Sequence, residues 1–226
     1  MSASPLGGCR LSRAAMARRV AQDLADGSYV NLGIGLPTLV ANHVPAGREI
    51  VYHSENGILG MGPEPRPGQE DPELINAGKQ LVTLLPGGAY VHHTDSFMIM
   101  RGGHLDVSVL GAFQVSASGD LANWATLDDD FPPAVGGAMD LAVGARRVLV
   151  LMTHTSPDGS PKLFSRCTFP LTAAHVVDRV YTDLAVLDVT SDGLLVRELV
   201  EGVSPLDLQS VTEAPLQFAD EVAVLR

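Results

Sequence analysis

Glu55 is the residue whose type and setting best suit it to covalent chemistry. It follows a short β-type run at residues 50–53 and stands in the tetrapeptide Ser54-Glu55-Asn56-Gly57. In open α/β sheets, ligands bind beyond the carboxyl ends of the strands, and a carboxylate placed there can act as a nucleophile in acyl transfer. We therefore expect Ser54, Asn56 and Gly57 to contact substrate, Asn56 to orient the carboxylate, and backbone N–H groups to hold it ionised.

The elements that must position this motif can be predicted from helix caps and apolar runs. Ser12 is placed to cap a helix that runs to about Asp26, where Gly27 ends it. A strand is predicted at 29–32, followed by a tight turn and by a helix that begins at Pro37. A long loop is expected from residue 57 to residue 78, because that stretch is rich in Gly, Pro and acidic residues.

The later part of the chain contains continuous apolar runs at 107–110, 148–152 and 184–189. Such runs are typical of strands buried on both faces. They predict an α/β fold with an open, largely parallel sheet flanked by helices, in a single domain over residues 1–226. Ser204 and Pro205 should begin a late helix that ends near residue 211, and residues 213–226 form either an edge strand or a disordered tail.

Composition excludes several classes of partner. The formal net charge is −11 over 226 residues, which argues against binding to nucleic acid and to an anionic membrane surface. The apolar runs are too short to span a bilayer, and residues 1–19 do not have the pattern of a secretory signal. Two cysteines far apart in sequence do not indicate a disulfide framework. We expect a soluble, cytoplasmic protein.

The Ser-Glu-Asn-Gly motif after a strand closely resembles the active-site motif of the β subunits of family I CoA-transferases, the succinyl-CoA:3-oxoacid type. Other stretches resemble blocks of the same family, in the same order: NLGIGLP at 31–37, NAGKQ at 76–80, RGGHLD at 101–106, LANW at 121–124, GGAMDL at 136–141 and CTFPL at 167–171. The resemblance covers nearly the whole chain and implies the ribose-phosphate isomerase/CoA-transferase-like fold.

The resemblance also implies a ping-pong mechanism through Glu55. Glu55 attacks an acyl-CoA, and the released CoA thiolate then forms a γ-glutamyl-CoA thioester on the same side chain. The backbone N–H of Gly136 or Gly137 is expected in the oxyanion hole, and Asn31 is expected to orient Glu55. No cofactor is implied, because the CoA thioester is itself the substrate.

A separate α subunit is implied as the partner, in a heterodimer or heterotetramer, because the chain lacks the glycine-rich CoA-binding motif of that subunit. The isolated chain should then be inactive. The CoA phosphates need basic groups, which Lys79, Arg146 or the partner could supply. The acidic stretch Asp128-Asp129-Asp130 departs from the family pattern just before Gly136.

Other site types fit the sequence less well. The histidines at 92, 93 and 104, with Asp95, suggest a metal site, but adjacent residues of a strand point to opposite faces, so we interpret them as loop or strand-end histidines and expect no metal. Gly33 and Gly35 lack the third glycine of a dinucleotide loop, and Ser54 and Ser96 lack the serine-hydrolase elbow.

Three functions remain open from the sequence. The first is a transferase that moves CoA from succinyl-CoA to acetoacetate or 3-oxoadipate, and residues 133–140 resemble the 3-oxoadipate enzymes slightly more. The second is an acyl-CoA hydrolase on the same scaffold, in which water resolves the Glu55 thioester. The third is a non-catalytic binding domain of the related isomerase superfamily.

Overall fold

The computed structural model describes Leu6 and residues 8–126 and 134–226. The acidic stretch Asp128-Asp129-Asp130, which departs from the family pattern, lies outside the described residues. Within the described part of the chain, no helix is both long and apolar enough to cross a membrane.

The described residues form four α-helices and one 3₁₀ helix, two of which begin at caps that the sequence predicts. They are α1 (Arg13–Gln22), a 3₁₀ helix (Leu36–His43), α2 (His93–Arg101), α3 (Ala138–Gly144) and α4 (Pro205–Ser210). The Ser12 hydroxyl accepts a hydrogen bond from the backbone N–H of Ala15 at 3.2 Å, and Ser204 forms a capping box with Asp207. Both predicted caps are therefore confirmed.

The strands are β1 (Tyr29–Leu32), β2 (Val51–Ser54), β3 (Ile58–Met61), β4 (Leu84–Tyr90), β5 (Val107–Leu110), β6 (Gln114–Ser116), β7 (Leu121–Ala122), β8 (Val148–Leu151), β9 (Leu163–Phe164), β10 (Val177–Tyr181), β11 (Ala185–Thr190), β12 (Gly193–Val200) and β13 (Leu216–Leu225). All four residues of β5 and of β8 are buried, as their continuous apolar runs predict.

The chain divides into two compact units. One comprises Ala17–Gly111 and Gly136–Val148 and is called here the glutamate unit, because it contains Glu55. Its strands follow the order β5-β1-β2-β3-β4. Strand β1 is parallel to both β5 and β2, whereas β2, β3 and β4 pair antiparallel. The carboxyl ends of β5, β1 and β2 therefore lie at one edge of this sheet.

The second unit comprises the described residues of Met1–Met16, Ala112–Val135 and Leu149–Arg226. Its strands follow the order β13-β12-β11-β10-β8, and a smaller sheet has the order β7-β6-β9. Strands β10, β11 and β12 pair antiparallel, and β13 is parallel to β12. Strand β13 ends the order, so residues 213–226 supply an edge strand, which was one of the two predicted alternatives.

The predicted fold class is confirmed: the protein is α/β, with open, largely parallel sheet flanked by helices, and antiparallel pairs extend it at β3, β4 and β10–β12. The single domain over residues 1–226 stays a prediction. Met16 and Val20 of α1 and Leu24, just beyond its end, recur every four residues and are all buried.

Three predicted boundaries were wrong. Helix α1 ends at Gln22 rather than near Asp26, because the N–H of Asp23 turns back to the carbonyl of Val20. The helix after β1 is 3₁₀ and begins at Leu36. The loop predicted from residue 57 contains β3, whose glycine-rich backbone pairs closely with β4: a Cβ at Gly60 would lie 2.8 Å from the Cα of Gly88.

Candidate active site

Glu55 is the first residue after β2, in the turn that joins β2 to β3. The turn closes through a hydrogen bond of 2.9 Å from the N–H of Gly57 to the carbonyl of Ser54. Gly57 has φ 110°, and a Cβ there would collide with the carbonyl oxygen of Val91. Only glycine fits this turn, which fixes the direction in which Glu55 leaves the sheet.

The backbone of Gly137 lies directly against the Glu55 carboxylate. A Cβ at Gly137 would collide with Oε2 of Glu55 and would lie 3.3 Å from Cζ of Phe97. Gly137 immediately precedes α3. The structure thus brings together two of the predicted site residues, Glu55 and Gly137, although 82 positions separate them in sequence (137 − 55). A Cβ added at Gly136, whose φ is 58°, would meet no atom of the described residues within 4 Å.

Glu55 is half-buried, and its surroundings act on its charge in both directions. Burial raises the pKa of the Glu55 carboxyl above its ordinary value, nearby His93 lowers this pKa, and nearby Asp140 raises it. The net direction is upward. Burial is the largest of these effects, and the role of backbone N–H groups in holding the carboxylate ionised stays a prediction.

A stripe of side chains on α2 faces this site and was missed by the sequence analysis. His93, Phe97 and Arg101 recur every four residues and so share one helix face. The rings of His93 and Phe97 contact each other with centroids 4.7 Å apart and planes tilted by 38°, and the Arg101 guanidinium lies 5.7 Å from the Phe97 centroid. Arg101 Nε also donates to Asp140 Oδ1 at 2.6 Å. The spacing of four was the available signal.

Ser54 and Asn56 bind the following loop. The Ser54 hydroxyl accepts a hydrogen bond of 3.0 Å from the N–H of Ala77, and the exposed Asn56 donates one of 2.8 Å to the carbonyl of Ile75. The Asn56 amide therefore points to residue 75, and the expectation that it orients the carboxylate was wrong. The tetrapeptide by itself gives no information about this loop.

Lys79 lies in the same loop, in a tight turn. Its N–H donates to the carbonyl of Asn76 at 2.9 Å, and its φ of 62° is left-handed. The residue is exposed, so its amine is accessible to a ligand.

Asn31 contacts His53 rather than Glu55. Its amide nitrogen lies 2.9 Å from His53 Nδ1 and donates to the His53 carbonyl at 3.1 Å. The prediction that Asn31 orients Glu55 is therefore wrong as a direct contact. The reason is that the two residues are paired in register on parallel strands, which brings Asn31 beside His53, two residues before Glu55.

The histidines considered for metal binding form parts of a helix. His92 is the N-cap of α2 and its Nδ1 accepts from the N–H of Thr94 at 3.2 Å. His93 is the first residue of α2, so the interpretation as a loop or strand-end residue was wrong for His93. Across residues 8–126 and 134–226, no group of three His, Cys, Asp or Glu side chains could hold a metal ion.

Comparison with known proteins identifies the family to which this geometry belongs. The sequence profile described as Coenzyme A transferase matches residues 13–208. The chain belongs to the coenzyme A transferase family. The β subunit of the 3-oxoadipate CoA-transferase of Pseudomonas putida is 60% identical over 207 residues, which cover 92% of this chain and 97% of that protein.

Two further members of the coenzyme A transferase family match this chain at lower identity. The β subunit of the succinyl-CoA:3-ketoacid coenzyme A transferase of Helicobacter pylori is 46% identical over 205 residues, which cover 91% of this chain and 98% of that protein. The crystal structure of an acyl-CoA transferase apoenzyme from Escherichia coli O157:H7 matches with a TM-score of 0.74 at 20% identity, covering 96% of this chain and 43% of that one. This chain thus spans less than half of the E. coli protein, and that likeness shows the fold alone.

Proposed function

We propose that this chain is the β subunit of a succinyl-CoA:3-oxoacid CoA-transferase and that Glu55 carries CoA during the reaction. The observation that carries the proposal is the half-buried Glu55 carboxylate, with the Gly137 backbone pressed against its Oε2. The higher identity to the 3-oxoadipate enzyme of P. putida, 60% against 46% for the 3-ketoacid enzyme of H. pylori, favours 3-oxoadipate over acetoacetate as the acceptor.

The chemistry begins with the carboxylate of Glu55. An Oε atom attacks the thioester carbonyl of succinyl-CoA, the C–S bond breaks, and a mixed anhydride and CoA thiolate are formed. The thiolate then attacks Cδ of Glu55, succinate leaves, and Glu55 holds CoA as a γ-glutamyl thioester. The 3-oxoacid carboxylate reverses the two steps and leaves as its CoA ester.

Gly137 suits the role of a backbone donor to the tetrahedral intermediates. The intermediate formed when the CoA thiolate attacks Cδ of Glu55 places negative charge on an oxygen of the Glu55 carboxyl carbon, and donors aimed at such an oxygen accelerate these steps by about a hundredfold or more. The missing side chain at Gly137 is what lets backbone reach the carboxyl group. We assign Gly137 to this hole ahead of Gly136, because of the two glycines Gly137 is the one whose added Cβ would meet the Glu55 carboxyl group.

The partner is proposed to be a separate α subunit, in a heterodimer or heterotetramer. The P. putida and H. pylori relatives are each named as one subunit of their enzyme, which supports a partner chain of a second type. The CoA phosphates would then be held by that partner, with help from Lys79, and the isolated chain would be inactive. A cytoplasmic location stays part of this proposal.

The test uses the chain assembled with its α subunit. After incubation with succinyl-CoA, we expect the intact mass of the chain to show a CoA adduct, and the peptide that contains Glu55 to carry it. Borohydride treatment should remove the adduct. Glu55→Gln should give no adduct and should lower transfer at least about 10⁴-fold. Glu49→Gln, which changes an exposed carboxylate of the same unit, is the matched control and should keep full activity.

Two results would contradict the proposal. Steady loss of succinyl-CoA at the transfer rate without any acceptor acid would identify a hydrolase. Full transfer activity or full biological activity of Glu55→Gln would exclude the covalent mechanism.

A further inference from the structure

A buried row of polar side chains crosses the three parallel strands of the glutamate unit. His53 on β2, Asn31 on β1 and Ser108 on β5 are paired in register, so their side chains lie on one face of the sheet. His53 and Ser108 are 0% exposed and Asn31 is 2% exposed. His53 stands two residues before Glu55, so the row reaches the strand end that carries the proposed nucleophile.

The hydrogen bonds of this row fix the state of the His53 ring. A carbonyl oxygen can only accept, so the Asn31 atom that contacts the His53 carbonyl at 3.1 Å must be the amide nitrogen. The same nitrogen therefore donates to Nδ1 at 2.9 Å, which leaves the proton on Nε2. Nε2 in turn donates to the Ser96 hydroxyl at 2.8 Å. Burial lowers the pKa of His53 to about 4, which agrees with a neutral ring.

The Ser96 contact joins two elements of the site. Ser96 is a fully buried residue of α2, next to Phe97, which faces Gly137. His93, whose charge acts on Glu55, lies one turn earlier on the same helix. A single hydrogen bond from His53 to Ser96 thus connects the strand that carries Glu55 to the helix that carries two of its neighbours.

We propose that His53 is a positioning residue: bridging Asn31 and Ser96, it holds the end of β2 against α2 and so sets where the Glu55 carboxylate meets Phe97 and Gly137. The inference rests on the proposed function, in which Glu55 is the nucleophile. Misplacement of a reacting group by about 1 Å can cost a hundredfold in rate, so this bridge should affect the chemical steps more than substrate binding.

Two buried serines provide a matched test. Ser96 and Ser108 are both 0% exposed, but Ser96 is bonded to His53, whereas the Ser108 hydroxyl has no hydrogen-bond partner among the described residues. In the assembled enzyme with succinyl-CoA and 3-oxoadipate, Ser96→Ala should lower kcat about tenfold and slow the formation of the Glu55–CoA adduct, with little change in the KM for succinyl-CoA. Ser108→Ala should change none of these by more than about twofold.

Variants of His53 itself test the bridge from the other side. His53→Leu removes both hydrogen bonds and should lower kcat further than Ser96→Ala does. His53→Gln can still accept from Asn31 and donate to Ser96, so it should recover much of the lost kcat. Thermal unfolding of each variant shows whether a loss of activity follows from a loss of folded protein, and the two serine variants remain informative if His53→Leu does not fold.

The outcomes separate this inference from the function on which it rests. If wild type forms the adduct while Ser96→Ala and Ser108→Ala have equal kcat, His53 does not position the site and the proposed function stands. A loss in Ser96→Ala that appears only in KM, or no recovery in a folded His53→Gln, also overturns the inference. A wild-type enzyme that forms no adduct overturns the proposed function and this inference with it.

Discussion

At the scale of the residue, Glu55 combines two demands that oppose each other. A carboxylate with little solvation is a better nucleophile, because fewer hydrogen bonds to water must be broken before attack. Burial provides this, but it also favours the protonated form, and Asp140 adds to that effect while His93 opposes it. The site thus raises the pKa of the Glu55 carboxyl above its ordinary value, while His93 favours the ionised form.

The pH dependence of the assembled enzyme should report this balance. Only ionised Glu55 can attack, so the acid limb of kcat/KM for succinyl-CoA should have its midpoint above 4.5, the ordinary value for this group. Asp140→Asn removes a negative charge that raises the pKa of Glu55, so the limb should move to lower pH. The measurement is a pH–rate profile.

Asp95 supplies the control for that shift. Asp95→Asn makes the same charge change at an exposed position of α2 and should leave the midpoint in place. A midpoint that moves upward in Asp140→Asn would show that another group controls the limb.

Gly137→Ala tests the close approach of backbone to the carboxylate. The added Cβ would collide with Glu55 Oε2, so we expect transfer to fall about a hundredfold with a nearly unchanged melting temperature. Gly111→Ala is the matched control, because a Cβ there meets nothing within 4 Å. Equal activity of the two variants would show that Gly137 does not touch the reacting group.

At the scale of the element, the hairpin of β2 and β3 determines where Glu55 stands. The N–H of Gly57 closes the turn at Ser54 and its carbonyl accepts a hydrogen bond from the N–H of Val91 at 2.9 Å. The turn is thereby attached to the chain just beyond β4. A change that displaces this turn should therefore affect both the stability of the hairpin and the position of the nucleophile.

Alanine substitutions at two glycines with positive φ distinguish the cost of backbone strain from the cost of a steric clash. Gly57→Ala meets both an unfavourable φ of 110° and the carbonyl of Val91, whereas Gly27→Ala meets only a φ of 73° in open space. We expect Gly27→Ala to lower the free energy of unfolding by about 1 kcal/mol and Gly57→Ala by about 3 kcal/mol or more. Denaturant unfolding measures both, and equal losses would mean that the Val91 carbonyl moves aside freely.

Elements with strong local signals could be predicted from the sequence. The bounds of β1 and β5 agree with the predicted runs at 29–32 and 107–110, because each run is short, apolar and bounded by turn residues. Strand β4 could not be predicted in the same way, since it contains Pro86, Gly87 and Gly88. These residues are disfavoured in strands by their own propensity, and pairing with β3 overrides it.

The features of the candidate site likewise divide into those that the local sequence indicates and those that depend on tertiary contacts. The sequence indicates Glu55 through its motif and the Gly136–Gly137 pair through the family resemblance. The partners of Asn31 and Asn56 depend on strand register and on a loop 19 residues further on, which no local pattern encodes. The stripe on α2 could be recognised only by reading His93 together with Phe97 and Arg101 at helical spacing, whereas the sequence interpretation weighed His93 only as a metal ligand.

At the scale of the whole molecule, each compact unit contains a fully buried histidine. His53 lies in the glutamate unit, and His154 lies in the other, where its ring nitrogens contact the hydroxyls of Thr182 at 3.0 Å and Thr212 at 2.8 Å. Burial lowers the pKa of each ring to about 4. Both histidines are therefore neutral in the folded protein near neutral pH.

Stability should consequently fall as the pH decreases below about 6.5. The unfolded chain takes up these protons near pH 6.5, whereas the folded chain resists them until about pH 4. The stabilisation is thus fully present above the histidine pKa of the unfolded chain and is lost as the pH falls toward the histidine pKa of the folded protein. Each histidine should cost about 2 kcal/mol of unfolding free energy between pH 7 and pH 5.

The slope of the unfolding free energy against pH can be measured by urea unfolding at a series of pH values and a fixed protein concentration. His154→Gln removes one of the two buried histidines, so the unfolding free energy should depend less steeply on pH. His104→Gln changes an exposed position and should leave this slope unchanged. A slope that is the same in all three proteins would show that His154 takes up its proton as readily in the folded protein as in the unfolded chain.

The arginines of the molecule also bear on the proposed partner. Several are already engaged by aspartates: Arg10 with Asp183, Arg101 with Asp140, Arg146 with Asp106, and both Arg179 and Arg197 with Asp188. With a net charge of −11, the chain offers little positive charge to the phosphates of CoA. This supports the assignment of most phosphate binding to the α subunit.

The upward displacement of the Glu55 pKa has a practical consequence for chemical labelling. Diazo reagents esterify only carboxylic acids that retain their proton, so in mildly acidic buffer they react slowly with carboxylates that are fully exposed. A glutamate that retains its proton to higher pH is esterified ahead of those groups. The environment of Glu55 should therefore make it a preferred target for a covalent probe, and, if Glu55 has the proposed role, bound acyl-CoA should protect it.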